Sequence, residues 1–512
     1  MFSPNFIIFV PFVRTFFNSY FIFEDGEVRL FLSFFIIYIS FFYLFYKFLC
    51  KIFSILDKTI LLYLTSWIGF VFFQYTNWTK YYYYSFSGFL LEVNNFAFLT
   101  WLFVLLLGLI LIIQLSKFEF VKIFLGSWTL LLLLSPLTSF LSEYLIPNEN
   151  EYSFEKNFSN VSLNEKPDIY FILYDGLASL DTLDKYYQYN AEPLTNFLSQ
   201  NNFYTAKEAS SSYGTTNMSL ATIFEAEYLL QDGDRYKINN KHVLENFDIL
   251  QSDVFQILID NGYSIGSYSN YVTCNDNELE KIVCLYRKTP KQIIYQLLLQ
   301  TPFRIIENNQ EKLFFYEDLL NVLNLECAVT CGDKSLSELQ EEFDNKFQTQ
   351  LTNTPKFYFF HMKNTHGPFF VDEQCKPLEK TSSISDAKEK KEEYIFSILC
   401  LQKDLEKFIN NIDSEAILIL QSDHGPHFSY ARTYTDLTDN EIQNRYRIFS
   451  SIRFNNNCQD NPSSKFGQVN TFVFVFKCLS EKEFSYQEIK TFYVPVNPRY
   501  DNIVEITDRL KF

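Results

Sequence analysis

The segment AILILQSDHGPHF, residues 416–428, stops an apolar run at Asp423, His424 and Gly425. A carboxylate beside an imidazole, both released at the end of a buried strand, is a pair that can bind a cation. Mixed oxygen and imidazole ligands suit Zn or Mn. The chain has five histidines, and four of them, His361, His366, His424 and His427, fall in two short motifs; only His242 lies elsewhere. A second apolar run, PDIYFILYDG, closes on Asp175 and Gly176. Taken alone, Asp-Gly after a strand is a turn signal.

Two further stretches carry chemistry. In SSSYGTTNMSLATIFEAEYL, residues 210–229, a small polar cluster runs into an amphipathic stretch, the pattern of a helix start. Thr215 and Thr216 sit near that N-terminus, where a hydroxyl faces free backbone N–H groups and the positive end of the dipole, a cradle for phosphate. A dication nearby would lower the hydroxyl's pKa and make it a nucleophile. The plainer reading of either threonine is a helix N-cap. In FYFFHMKNTHGPFFVDEQC a strand ends near His361, and His366 precedes Gly-Pro-Phe. Histidines five apart do not share a helix face, so a loop displays them. They could hold phosphoryl oxygens or protonate a leaving group, or be ordinary loop histidines.

These residues need a scaffold. PDIYFILYDG and EAILILQSDHG read as fully buried strands, with helical patterns such as EPLTNFLSQNN and EEYIFSILCLQKDLEKFINNI between them. Strands alternating with helices predict a mostly parallel sheet flanked by helices. Ligands of such sheets collect at the carboxyl ends of the strands, where Asp175, Asp423 and His424 all fall. The predicted domain spans residues 167–480, with 481–512 as a C-terminal extension. Residues 231–340 read as an insertion, and KTSSISDAKEKKEEY as a solvated loop leading into a helix.

The first 145 residues are of another kind. Apolar and aromatic residues, inflated by 58 Phe and 35 Tyr, concentrate there in five runs of near-spanning length: 5–23, 30–49, 59–73, 96–115 and 120–141. Arg14 and Pro11 interrupt the first of these. Five in succession read as an α-helical transmembrane domain, and the further spans rule against a cleaved leader. Lys47, Lys51 and Lys58 follow the second run, and Lys117 and Lys122 the fourth, which makes those loops cytoplasmic. The flanks EDGE and NENEYSFEK, poor in Lys and Arg, then face outward, as does the large domain beyond a polar linker at 146–166. A net charge of −17 argues against nucleic acid as a partner. Of nine cysteines, Cys50 ends a span and eight lie in the outward domain, where bridges can form. Cys274 with Cys284, and Cys327 with Cys331, could close small loops, whereas Cys400 in FSILCLQKDL reads as a helix core residue.

In this order the motifs resemble the membrane-bound sulfatase-like branch of the alkaline phosphatase superfamily, which includes phosphoethanolamine transferases, phosphoglycerol transferases and lipoteichoic-acid synthase. The resemblance runs from about residue 167 to 479 and extends to the layout of spans ahead of an outward domain. It implies an alkaline-phosphatase/sulfatase-like α/β domain after about five transmembrane helices. Asp175 matches the acidic ligand after the first strand, and Asp423 with His424 the late Asp-His-Gly. Tyr213, Thr216, Ser219 and Leu220 match Tyr-x-x-Thr-x-x-Ser-Leu, which selects Thr216 over Thr215. His361, His366, Pro368 and Phe369 match His-x4-His-x-Pro-Phe, while NRYRIFSSI and QVNTFVFVF look like late strands around Arg445 and Asn470.

The resemblance implies one divalent metal ion, Zn or Mn, on Asp175, Thr216, Asp423 and His424, with His361, His366, His427 and Arg445 toward substrate. It implies a membrane phospholipid donor of phosphoethanolamine or phosphoglycerol, an envelope glycan or lipid-linked sugar acceptor, and a phospho-Thr216 intermediate. It places the protein in the bacterial inner membrane, multi-pass, with its catalytic domain outside the cytoplasm. The Cys/Ser-x-Pro-x-Arg motif that true sulfatases convert to formylglycine does not stand at residues 210–229, which favours a threonine and phosphoryl substrates. Rival expectations are hydrolysis of sulfate esters and a non-catalytic envelope-assembly protein.

Overall fold

The computed structural model describes residues 25–54, 57–72 and 93–115, isolated positions between 118 and 134, and then 161–229, 247, 249–272, 281–285, 334–348, 354–367, 369, 371–376, 387–426, 437–454, 458, 463–480, 482–494 and 503–511. The chain divides into two compact units, Met1–Tyr152 with Lys288–Val329, and Ser153–Arg287 with Thr330–Phe512.

In the first unit the described elements are α1 (Asp25–Ile52), α2 (Lys58–Phe72) and α3 (Val93–Leu115). Among the described residues one helix is long and apolar enough to cross a membrane, through its window Phe35–Ile52. It leaves Ile36, Ile37, Phe41 and Leu44 more than half exposed. Such a surface suits hydrocarbon better than water. α2 and the described part of α3 are shorter apolar helices. Polar side chains join the three: Tyr38 donates to Gly69 O at 2.7 Å, and Trp101 Nε1 to Val71 O at 2.7 Å. Gly108 leaves room for the Trp67 ring, which a Cβ there would strike. Small residues let apolar helices approach closely. Of the five expected spans, residues 5–23 lie outside the described residues and 120–141 almost wholly so.

The second unit is built on a seven-stranded sheet of order β2-β8-β7-β1-β6-β4-β5. Its strands are β1 (Ile169–Tyr174), β2 (Phe203–Thr205), β4 (Ser264–Tyr268), β5 (Ile282–Cys284), β6 (Lys356–Met362), β7 (Ile417–Ser422) and β8 (Ser450–Arg453), with β3 (Glu208–Ser210) lying outside it. Five strands run parallel, and β8 and β2 pair antiparallel at one edge. The strand period of two explains why IYFILY is apolar throughout. Ile169, Phe171 and Leu173 face one layer of core, and Tyr170, Ile172 and Tyr174 the other.

On the first face pack α6 (Thr216–Glu225), α7 (Asp253–Asp260) and α11 (Thr471–Leu479). On the second pack α4 (Leu180–Tyr187), α5 (Glu192–Gln200), α8 (Leu336–Gln348) and α9 (Ala387–Ile409). The phenylalanines are spent here: Phe171 stacks on Phe359 at 5.5 Å, Phe224 on Phe472 at 5.7 Å, and Phe472 meets Phe171 edge-on. The architecture is the expected sulfatase-like α/β domain, with a mostly parallel central sheet between helices.

Three expectations need correction. QVNTFVFVF is no strand: Gln468–Asn470 forms a 3-10 turn and Thr471–Leu479 a helix buried almost all round. A short apolar run has no period to separate the two, and burial on every side lets a helix carry β-branched and aromatic residues. Arg445 lies on a helix, α10 (Asp439–Tyr446), whose Thr438–Glu441 capping box fixes its start. Cys400 is not a core residue of α9 but half-buried and bonded to Cys375. Cys458 is bonded to Cys478. Cys284 is also disulfide-bonded, whereas Cys274, Cys327 and Cys331 lie outside the described residues.

The Cys375–Cys400 bridge fastens the segment after His366 to α9 across 25 residues of chain. Replacing both cysteines by serine should cost about 3 kcal/mol by loop-closure entropy, read as a lower urea midpoint, with a slope no smaller than wild type's because the uncrosslinked unfolded chain is more expanded.

Candidate active site

The site is assembled at the carboxyl ends of β1, β6 and β7. Tyr174 is level with Met362 on one side and Ser422 on the other. The next residue of β1, Asp175, therefore comes level with Asp423, and His361 stands one step back on β6. Gly176 turns the chain at φ +81, a backbone region that disfavours side chains, and a Cβ there would lie 3.2 Å from Thr365 O. Asp175, Asp423, His424 and His361 are all at most 5% exposed.

The hydrogen bonds show what is satisfied and what is not. Asp423 Oδ1 accepts from the backbone N–H of Gly176 at 3.0 Å and of His424 at 2.8 Å. Asp423 Oδ2 and Asp175 Oδ1 are buried without a hydrogen-bond partner among the described residues. His424 Nδ1 lies 2.9 Å from Gly425 O, and a carbonyl can only accept, so Nδ1 carries the proton. Burial, and next the charge of Arg445, hold the His424 imidazolium pKa well below its usual range, so the ring is neutral. Its Nε2 lone pair then points at Asp423 Oδ2 at 3.2 Å and Asp175 Oδ1 at 3.7 Å.

Three lone-pair atoms thus converge with no donor among them, within 4.8 Å of one another. Buried carboxylates do not survive that way without a cation or a proton. Ligands about 2.1 Å from a tetrahedral ion stand about 3.4 Å apart, close to the spacings found. The donor set fits one divalent cation, and the Nδ1 hydrogen bond supplies the orientation that metal-binding histidines require.

Burial and the Asp175 charge push the Asp423 carboxyl up to about 6. For Asp175 burial acts in the same direction, but His361, with Nε2 3.5 Å from Oδ2, and nearby His366 outweigh it and hold the carboxyl well below the usual range.

Thr216 is the first residue of α6, and Thr215 takes the N-cap position. Thr216 Oγ1 lies 3.3 Å from His424 Nε2 and donates to it, since the ring nitrogen has only its lone pair to offer. Asp175, Thr216, Asp423 and His424 therefore meet at one point. His361 joins them through Asp175, its Nε2 3.5 Å from Oδ2; its Nδ1 is buried without a hydrogen-bond partner among the described residues, and its ring packs on Tyr271 at 5.4 Å. His366 is exposed, its Cα beside Gly176. Arg445 gives Nη1 to Gly425 O at 2.9 Å and Nη2 to Gly214 O. His427 and Pro368 lie outside the described residues.

Several residues of the site escaped the sequence reading. Tyr271 lies in the insertion that begins near residue 231, where no motif marks it. Gln468 donates to Ser422 O and Asp423 O at 2.7 and 2.6 Å and accepts from Ser212 N at 3.0 Å. Ser422 Oγ accepts from Leu177 N and donates to His424 O. Tyr394 bonds Gly176 O and Ala178 N. Gln468, Ser422 and Tyr394 fix backbone rather than substrate, and apart from Ser422 to His424 their bonds span 45 to 256 residues and leave no local pattern.

Comparison with known proteins follows the same line. A family model described as Sulfatase matches residues 167–473. The comparison with curated proteins gives no match. Among solved structures, the C-terminal periplasmic domain of EcEptC from Escherichia coli is similar at 11% identity and TM-score 0.43, over 68% of this chain and 94% of that one. The integral membrane protein lipooligosaccharide phosphoethanolamine transferase A from Neisseria meningitidis is similar at 14% identity and TM-score 0.40, over 93% and 95%. The matched residues are more than half of the chain and contain every cation-ligand candidate described above: the chain belongs to the Sulfatase family, enzymes that act on sulfuryl or phosphoryl groups.

Proposed function

We propose that this protein is a membrane-anchored transferase that moves a phospho-headgroup, phosphoethanolamine or phosphoglycerol, from a phospholipid to an envelope glycan through a phospho-Thr216 intermediate. The observation that carries the reading is the Thr216 hydroxyl at the helix N-terminus, in hydrogen bond with His424 at the point where two unpartnered carboxylate oxygens meet. Asp175, Asp423, His424 and Thr216 would hold one divalent ion, Zn or Mn. That ion, when bound, supplies positive charge that lowers the hydroxyl's pKa and offsets charge on the phosphoryl oxygens.

The chain's own residues supply the rest. Thr216 Oγ releases its proton to solvent and attacks phosphorus, an Oγ–P bond forms, and the bond to the diacylglycerol oxygen breaks; Oγ takes a proton back from solvent when it is displaced in the second half. His366, exposed beside Gly176, gives that oxygen its proton; His361, held against Asp175, donates to a phosphoryl oxygen. In the second half a sugar hydroxyl gives up its proton to the same imidazole and displaces Thr216 Oγ. The start of α6 presents the positive end of its dipole to the phosphoryl group.

Placement outside the cytoplasm is supported by the lysine-rich short loops of the N-terminal part. The Cys375–Cys400 and Cys458–Cys478 bridges point to the same oxidising side. The apolar helices support an integral membrane protein.

The test is peptide mass analysis of the full chain after incubation with zinc and vesicles of phosphatidylethanolamine and phosphatidylglycerol. The expected result is a Thr216 peptide carrying one phosphoethanolamine or one phosphoglycerol, with diacylglycerol released. Diacylglycerol without an adduct, or sulfate released from a sulfated glycan by a chain inert toward both lipids, would sink the proposal.

A further inference from the structure

We infer that Arg445 is a positioning residue that holds the start of the Thr216 helix and the His424 loop in register, so that the cation ligands converge. Three separate stretches of chain must meet for the site to exist: the turn after β1 with Asp175, the start of α6 with Thr216, and the turn after β7 with Asp423 and His424. All three are hydrogen-bonded to the end of α10. Ser179 N donates to Arg447 O at 3.0 Å, Ser211 N to Tyr446 O at 2.9 Å, and Gly425 N to Arg445 O at 2.7 Å.

The Arg445 side chain adds the link between two of them. Its Nη2 binds Gly214 O, two residues before Thr216, and its Nη1 binds Gly425 O, the carbonyl that also accepts from His424 Nδ1. One planar fork thus spans from the threonine helix to the atom that fixes the histidine ring. The glycines are where this fit is tightest. A Cβ on Gly425 would collide with Asn444 O, and one on Gly214 would lie 2.9 Å from the Tyr446 hydroxyl and 3.3 Å from Arg445 Nε. A lysine gives its three donors from one nitrogen and lacks the rigid planar fork that spans the two carbonyls.

The inference rests on the reading of Asp175, Thr216, Asp423 and His424 as cation ligands, and its test separates the two. Zinc alone is titrated by calorimetry into the metal-stripped full chain in detergent, as wild type, R445A and R445K. Loss of an outer partner of a metal-bound histidine weakens binding about 10- to 100-fold. R445A should show that loss, R445K a smaller one, and guanidinium ion at non-denaturing concentration should restore R445A toward wild type. Thermal midpoints of the metal-free proteins are read alongside. R445A binding zinc within twofold of wild type, even with a lowered midpoint, makes Arg445 merely structural and overturns the inference. Should R445A fail to fold, R445K decides: wild-type zinc affinity in that variant overturns it equally. A wild-type chain that binds no zinc overturns the ligand reading itself, and the inference with it.

Discussion

Thr216→Ala should abolish turnover while the protein keeps its fold. Removing a nucleophile outright costs on the order of 10⁴- to 10⁶-fold in rate, because no other group at the site has both an acidic hydroxyl and the right address. Thr215 cannot take over: it occupies the N-cap with extended backbone, φ −138, so its side chain leaves the helix in another direction. The fold survives because the Thr216 hydroxyl contacts only the site's own side chains, His424 and Asp423, and the residue sits at a helix start where alanine is tolerated. The check is donor turnover together with zinc affinity and the thermal midpoint. Serine at 216 should recover part of the rate. An alanine variant with full activity would move the nucleophile elsewhere.

Asp423→Asn should lose the cation and with it at least about 10³-fold in turnover, yet make the metal-free protein more stable. Asparagine keeps an oxygen for the N–H groups of Gly176 and His424, which Asp423 Oδ1 now serves. Its amide nitrogen replaces Oδ2, the buried oxygen that has no hydrogen-bond partner among the described residues and faces His424 Nε2 at 3.2 Å. An acceptor confronting acceptors becomes a donor, worth roughly 1–3 kcal/mol.

The sign of the pH dependence follows. Burial and the Asp175 charge push Asp423 up to about 6 in the folded chain, above its unfolded value. Its contribution to stability is then full below the unfolded pKa and is lost as pH rises through about 6. Metal-stripped wild type should therefore fall further behind Asp423→Asn at pH 8 than at pH 5. Adding zinc should reverse the order, since only wild type gains binding energy. Thermal unfolding of the stripped proteins at both pH values, without and with zinc, reads all of this. A stripped variant less stable than stripped wild type at pH 8 would mean that the two carboxylates are not in the conflict described.

How much of the site could be read in advance depends on where its information lies. Asp175 and Asp423–His424 follow uninterrupted apolar runs, and a run that ends in an acid is local text. Thr216 stood within two positions of its place, because a helix start has a composition of its own. The sequence also announced N-terminal apolar helices, three of which are described, while the first and fifth expected spans lie wholly or almost wholly outside the described residues. By contrast QVNTFVFVF read as a strand and is a 3-10 turn and a helix, since five apolar residues in a row hide their period. Arg445 read as substrate-facing, and its guanidinium lies on the carbonyls of Gly214 and Gly425. Cys400 read as core and is half of a bridge to Cys375.

What the sequence determined by itself, then, is chemistry and class: which residues could ligate, which hydroxyl could attack, that strands alternate with helices, and that the first part is built for lipid. These follow from composition and period, which act over a few residues. What only the tertiary structure decided is convergence. The level of β1 against β6 and β7, the tautomer of His424, the orphaned oxygens of Asp175 and Asp423, and the brackets made by Gln468, Tyr394 and Arg445 all come from pairings between residues far apart in the chain. No short-range signal records them, because the energy that fixes them is gained only once the sheet has closed.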